Sequence, residues 1–390
     1  MSTKQKDSVI AVKENGRFSY EIVLRDSFGQ LKEKLEALGC QGHRICIVTD
    51  SNVSGLYLEE VKSCVSACCS QTEVFVFQAG EAFKTLDTVR SLYEALIQAG
   101  FDRHDLLLAL GGGVVGDLTG FAAATYLRGI RFIQVPTTLL SQVDSSIGGK
   151  TGVDFDRYKN MVGAFHQPAL VYINTSVLRT LSEEQFASGM GEILKAGLIR
   201  DADFYEWTIE HMSEIEERDS ETLIYMVEKS CQIKRSVVEK DPHEKGERAI
   251  LNFGHTIGHA IEKLKDFQLT HGECVALGIV AAAYISWKRG YLDEDEFYEI
   301  RDMNVGFGLP ISFDGLKSED IVAATRKDKK MDAGRIKFIL LKKMGRAYID
   351  LDVTDQEMLE AVNFLNADIA DEEGNRSGQG IFSGSADCPE

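Results

Sequence analysis

The strand-like run Asp105-Leu-Leu-Leu-Ala-Leu110 empties directly into Gly111-Gly-Gly-Val-Val-Gly116-Asp117, and a helical pattern follows from Asp117 to Tyr126. Gly111, Gly113 and Gly116 satisfy G-x-G-x-x-G in the strand–turn–helix setting that lets a backbone approach a pyrophosphate and offers it helix N-terminal amides. A tight structural turn also uses such glycines. No acid ends the following strand, because Thr137 and Thr138 stand there. Asp50, at the tip of an earlier strand, serves either as the ribose partner or as a helix N-cap.

Around this turn the chain alternates between two periods. Strand runs at 44–49, 73–77, 105–110, 131–135 and 170–173 are separated by helical patterns at 55–69, 86–99 and 117–126. Strands spaced by helices predict βαβ units and a mostly parallel sheet. The segment Val9 to Leu24, with Gly16 at its middle, predicts an antiparallel addition to it. From Glu183 to Arg301 the periodicity is almost wholly helical, and a small hairpin is predicted from 337–342 and 347–350. The reading is therefore an α/β domain over residues 1–178, an all-α domain over 179–367, and an acidic Gly/Ser-rich tail over 368–390 that composition predicts to be disordered.

Lys and Arg total 43 against 61 Asp and Glu, a formal net charge of −18. So acidic a chain argues against a sequence-independent grip on nucleic acid or on anionic membranes. The longest apolar run, Val275 to Trp287, is too short to span a bilayer, and the N-terminal residues lack an apolar signal region. The eight cysteines show no CxxC pair. They read as reduced small hydrophobes, and a cytoplasmic location is predicted.

Three of the eight histidines crowd together. His255 and His259 are spaced i, i+4 and share one helix face, while His271 opens the next helix. The intervening residues are not those of HExxH. Three imidazoles in so short a span favour a metal site over isolated core histidines. Glu192, among small residues in Gly189-Met-Gly-Glu192-Ile-Leu-Lys195, is a candidate carboxylate, although spacing alone does not select it from its neighbours.

Cations cluster against the global field: Lys150 in Gly148-Gly-Lys150-Thr151, Lys159 beside Asn160, Lys195, and Arg248 with Asn252 about two turns and one turn before His255. Lys327, Lys329 and Lys330 flank Asp328. Any one lysine reads first as solvated surface, but cations beside a metal set suit an anionic, phosphorylated substrate. Position 144 is Asp rather than Gly, so GxxxxGK[ST] is not met and a Walker nucleotide hydrolase is rejected.

Taken together, the motifs starting at Gly111, Val135, Lys159, Gly189, Arg248, His271 and Asp328 make the chain resemble the 3-dehydroquinate synthases from about residue 44 to 345, and more distantly the sugar-phosphate cyclases and glycerol-dehydrogenase-like enzymes. The resemblance implies an NAD-binding α/β domain and a helical metal domain. The implied reaction is a phosphate-eliminating lyase step in the shikimate route. Transient oxidation by NAD, loss of phosphate, re-reduction and intramolecular aldol closure turn 3-deoxy-D-arabino-heptulosonate 7-phosphate into 3-dehydroquinate. It implies a divalent ion, zinc or cobalt, on Glu192, His255 and His271, with His259 as a non-ligand proton relay near the phosphate. It implies Lys150, Asn160, Lys195, Arg248, Asn252 and Lys329 on the substrate, and Asp144 near metal and nicotinamide ribose. Arg128 would reach the phosphate from a partner subunit, which implies a homodimer. For NAD it implies Asp50, Asn52, Glu81, Lys84, Gly112, Gly113, Asp117, Thr137, Thr138, Lys159 and Thr180. Arg248, Asn252 and Asp328-Lys329-Lys330 favour a substrate bearing a carboxylate over a neutral sugar phosphate. Two rivals stand beside it: a metal- and NAD-dependent alcohol dehydrogenase on the same fold, and a non-catalytic nucleotide binder, which would be expected to lack some of these ligands or cations where none is missing.

Overall fold

The computed structural model describes the backbone of residues 8–378 except 157, 245, 267 and 330–335, and the side chains of those residues except 327–329 and 367–378. The first strands and helices are β1 (Ser8–Glu14), β2 (Arg17–Arg25), α1 (Leu31–Ala37), β3 (Arg44–Asp50), α2 (Ser54–Ser66), β4 (Gln71–Phe77), α3 (Leu86–Gln98), β5 (Leu106–Gly111), α4 (Gly113–Thr125), β6 (Arg131–Pro136), β7 (Lys150–Phe155), β8 (Tyr158–Phe165) and β9 (Leu170–Asn174). Seven strands form one sheet in the order β1-β2-β9-β6-β5-β3-β4. Only the β1–β2 pairing is antiparallel. The expected strands and the antiparallel addition are all present.

Strand alternation builds two cores on this sheet. Leu106, Leu108 and Leu110 of β5 join Leu31 and Leu35 of α1 and Val61 and Val65 of α2 on one face. Leu107 and Ala109 join Val89, Leu92 and Leu96 of α3 and Val115 and Leu118 of α4 on the other. A strand whose successive side chains point to opposite faces must be apolar throughout when helices cover both sides. The chain leaves β3 toward the edge strand β4 and returns on β3's other side as β5. The carboxyl ends of β3 and β5 therefore form the topological switch point, where open α/β sheets bind ligands.

The remaining elements are α5 (Glu183–Arg200), α6 (Ala202–Glu210), α7 (Met212–Glu216), α8 (Ser220–Val238), α9 (His255–Leu264), α10 (His271–Lys288), α11 (Glu294–Gly306), α12 (Ser318–Lys329), the hairpin β10 (Phe338–Lys343) and β11 (Arg346–Asp350), and α13 (Asp355–Gly378). The chain packs as two compact units: residues up to Gly197 with Asp203–Ala249, and Leu198–Ala202 with Ile250 onward. This division differs from the predicted boundary at 178. The cause is α8, which packs on β1, β2 and a π-helical turn at Ser141–Ser145. Cys231 of α8 reaches the Gln142 carbonyl at 3.5 Å, and Glu239 just beyond it accepts from the Lys13 amide at 2.7 Å. The backbone of α13 continues to Gly378, beyond the predicted start of the tail at 368, and residues 379–390 lie outside the described residues.

The seven described cysteines are all free thiols. Burial pushes Cys46 and Cys231 up to about 12 and Cys40 and Cys68 up to about 11, so these four are poor nucleophiles. Among the described residues no helix is long and apolar enough to cross a membrane.

Candidate active site

In the sheet unit the glycine turn lies at the switch point. The helix begins at Gly113 rather than at Asp117, so the glycines themselves make its first turn. Gly112 is the N-cap, and a Cβ on it would lie 3.0 Å from Thr138 Cγ2. A Cβ on Gly116 would lie 2.7 Å from Gln134 Oε1. These glycines let α4 settle against β6 and keep a backbone cradle open at its N-terminus. Thr137, just past the end of β6, is buried, and its hydroxyl has no hydrogen-bond partner among the described residues. A buried hydroxyl left without a partner is costly. The cradle and this hydroxyl together fit a dinucleotide.

Other predicted nucleotide residues gather in the same unit. One carboxylate oxygen of Asp50 accepts the Asn52 and Val53 amides at 2.8 and 2.9 Å, so Asp50 ties the turn ahead of α2, whose N-cap is Val53 rather than Asp50. Lys84 is 3% exposed and donates to Asp117 at 2.8 Å and to Asn160 at 2.6 Å. Burial works against its ammonium, but Asp117 and Glu81 outweigh burial and raise its pKa. Glu81 stands 3.9 Å from both Lys84 and Lys159. The Thr180 hydroxyl pairs with that of Tyr57. Asn160 reaches this group with left-handed backbone, φ 52°.

A second set in this unit is ionic. Glu192 and Lys195, one turn apart on α5, form a buried ion pair. Asp144, in the π-helical turn, pairs with Lys234 of α8. Burial would raise the Asp144 carboxyl, but the Lys234 ammonium outweighs it and holds the pKa below the usual range. Arg248 is buried and donates to the carbonyls of Pro242 at 2.6 Å and Gly148 at 3.4 Å. Gly148 has φ +97°, and a Cβ there would sit 2.6 Å from Arg248 Nη2, so glycine is needed twice over. Lys150 pairs with Glu244. Arg128 is exposed and left-handed, φ 69°, between Leu127 at φ 49° and Gly129 at φ 121°.

Lys234 and Glu244 were missed by sequence reasoning. The signal for Lys234 was a charge in the buried stripe Val227, Cys231, Lys234, Val238 of α8. Replacing Lys234 by Met is expected to cost about 1–2 kcal/mol, because Asp144 loses its partner but keeps 31% of its side chain in solvent. Since the Asp144 pKa is lowered in the fold, the carboxylate's contribution is complete above the ordinary carboxylate pKa and fades as pH falls through the depressed value, whereas burial lowers the Lys234 pKa and sets against it a cost that is constant across the acidic and neutral range. The gap between wild type and Lys234→Met in denaturant midpoint should shrink in acid. Equal midpoints at neutral pH would show that the pair is not stabilising.

In the helical unit, α9 and α10 touch through glycine backbones. A Cβ on Gly258 would lie 2.5 Å from the Cys274 carbonyl oxygen, and one on Gly278 would lie 1.7 Å from that of Gly254. A capping box between Thr270 and Glu273 fixes where α10 starts, and so places His271. His255, His259 and His271 consequently converge: a ring nitrogen from each lies within 4.8 Å of the others. His255 Nδ1 is 3.1 Å from the Phe253 carbonyl oxygen, a contact that would assign Nε2 to a cation. The donor set fits a borderline divalent cation such as zinc. Asn252 ends the short turn before α9. Lys329 lies at the end of α12, and its side chain, like those of Lys327 and Asp328, is outside the described residues, as is Lys330.

A doubly wound sheet with a glycine turn at its switch point, and a helical unit presenting clustered imidazoles, together define a class of nucleotide- and metal-type α/β plus α enzymes. Solved structures share the architecture. A 2-epi-5-epi-valiolone synthase from Streptomyces hygroscopicus subsp. jinggangensis, with NAD+ and Zn2+ bound, is 28% identical with a TM-score of 0.83, covering 92% of this chain and 99% of its own. A 2-deoxy-scyllo-inosose synthase, complexed with carbaglucose-6-phosphate, NAD+ and Co2+, is 27% identical with a TM-score of 0.81, covering 91% and 99%. Glycerol dehydrogenase from Schizosaccharomyces pombe, 15% identical with a TM-score of 0.64 and covering 99% of this chain and 96% of its own, shares the fold alone.

Family models for the N-terminal and C-terminal parts of 3-dehydroquinate synthase match residues 74–188 and 189–331. The 3-dehydroquinate synthases of Acetivibrio thermocellus and Nitrosospira multiformis are 42% and 44% identical over 88% and 83% of this chain, and over 95% and 89% of their own lengths. The chain belongs to the 3-dehydroquinate synthase family.

Proposed function

We propose that this chain, as a member of that family, converts 3-deoxy-D-arabino-heptulosonate 7-phosphate to 3-dehydroquinate and phosphate, using NAD and one divalent ion. The observation that carries the reading is the convergence of His255, His259 and His271 in a chain whose sheet has its glycine cradle at the switch point. Bound NAD would supply a reversible hydride acceptor, and the ion a Lewis acid for a substrate hydroxyl.

The chain's own residues do the rest. Gly112 and Gly113 admit the pyrophosphate to amide donors, while Thr137, Thr138, Asp50, Asn52 and Thr180 line the route of the nucleotide. Asp117 and Glu81 hold Lys84 charged, and Lys159 adds a second cation beside Glu81. Glu192, His255 and His271 would hold the ion, and Lys195 neutralises Glu192 in its absence. Lys150, Asn160, Arg248, Asn252 and Lys329 bind the anionic substrate, with Arg248 fixed by two carbonyls. Asp144 would serve the metal and the nicotinamide ribose, and Lys234 favours its ionised form. His259 moves a proton near the leaving phosphate. Arg128, exposed on consecutive left-handed residues, reaches the phosphate of a second copy in a homodimer. Free thiols support a reducing, cytoplasmic location.

The test is incubation with the heptulosonate phosphate while phosphate and NADH are measured together. One phosphate per substrate with no accumulating NADH is expected. One NADH per product would make the chain a dehydrogenase, and neither product would make it a nucleotide binder.

A further inference from the structure

We propose that Glu262 is a positioning residue for His271, its carboxylate facing Nδ1 so that Nε2 is the nitrogen presented to a divalent cation. The inference rests on the metal reading above. Glu262 lies one turn after His259 on α9 and is only 5% exposed, beside the buried Ile257, Ala260 and Ile261. A carboxylate in such surroundings is expensive unless it serves polar or charged groups. Its Oε2 is 3.9 Å from His271 Nδ1, within ion-pair range and longer than a hydrogen bond.

His255 repeats the arrangement, with its Nδ1 turned to the Phe253 carbonyl. The two imidazoles assigned to the ion thus both direct Nδ1 at a protein oxygen, from different elements and with different acceptors. A cation on Nε2 draws electron density from the ring and makes Nδ1–H a stronger donor, which tightens the contact with the carboxylate. The carboxylate in turn fixes the tautomer and ring orientation and makes Nε2 a better ligand. The site comes with this support because Glu262 and His259 share a helix while His271 starts the next.

The experiment titrates Zn2+ into the metal-stripped full-length chain against a chromophoric chelator, for wild type, Glu262→Gln and His271→Ala. Glu262→Gln is expected to bind Zn2+ roughly 10–100-fold more weakly, with an unchanged denaturant midpoint for the metal-free protein. Wild-type affinity in Glu262→Gln, with zinc lost from His271→Ala, overturns the role of Glu262 and spares the metal reading. Wild-type affinity in His271→Ala overturns both. A long-range proton–nitrogen NMR spectrum of the zinc-loaded wild type needs no variant. A proton on His271 Nδ1 and metal on Nε2 are expected, and metal on Nδ1 overturns the proposal.

Discussion

Stripping the divalent ion with a chelator is expected to lower phosphate release by about three orders of magnitude, and added Zn2+ or Co2+ to restore it. Lewis-acid stabilisation of a developing oxyanion contributes several kcal/mol, and each 1.4 kcal/mol or so is a factor of ten in rate. His271→Ala should reproduce the loss, because it removes one ligand from a set that has few. His259→Ala should retain the metal and turn over roughly 10²–10⁴-fold more slowly, the range of a lost proton-transfer group. Metal content by elemental analysis and phosphate release decide the matter together. Full activity in metal-free protein would sink the metal role. Equal metal loss from both variants would move His259 into the ligand set, where its ring nitrogen is already near the other two.

Gly278→Ala is expected to cost about 3 kcal/mol or more in urea unfolding, and to weaken metal binding at the same time. The added methyl would fall 1.7 Å from the Gly254 carbonyl oxygen and 2.9 Å from the Gly258 amide. These neighbours are backbone, so no rotamer change makes room, and α10 must move off α9. Overpacking a close-packed seam usually costs 1–3 kcal/mol, and a rigid neighbour places this change at the top of the range or beyond. The same displacement carries His271 away from His255 and His259. A variant as stable as wild type would show that the two helices separate freely. Normal zinc affinity in a destabilised variant would show that the seam does not set the site.

Much of this was legible in the chain. The strands announced themselves because helices cover both faces of the sheet, so each buried strand is a short apolar run bounded by turns. The histidines announced themselves because i, i+4 spacing is a property of one helix. The β7–β8 hairpin was not legible: Lys150 and Asn160 read as parts of a cationic stretch, and the two strands pair with each other outside the main sheet, without the apolar run of a buried strand. The early start of α4 was hidden because glycines argue for a turn, and only packing against Thr138 and Gln134 shows them as helix. Lys234 was passed over because a lysine on a long helix is ordinarily solvated.

Local sequence therefore determined what depends on neighbours along the chain: the alternation of strand and helix, the glycine turn, the paired histidines and the family. Tertiary structure alone decided what depends on distant residues meeting. It joined α8 to the sheet unit, set Lys234 on Asp144 across 90 residues, and brought Glu262 to His271. The physical reason is that an ion pair or a close backbone seam has no periodicity to leave in the sequence. It exists only once two separately encoded surfaces are pressed together.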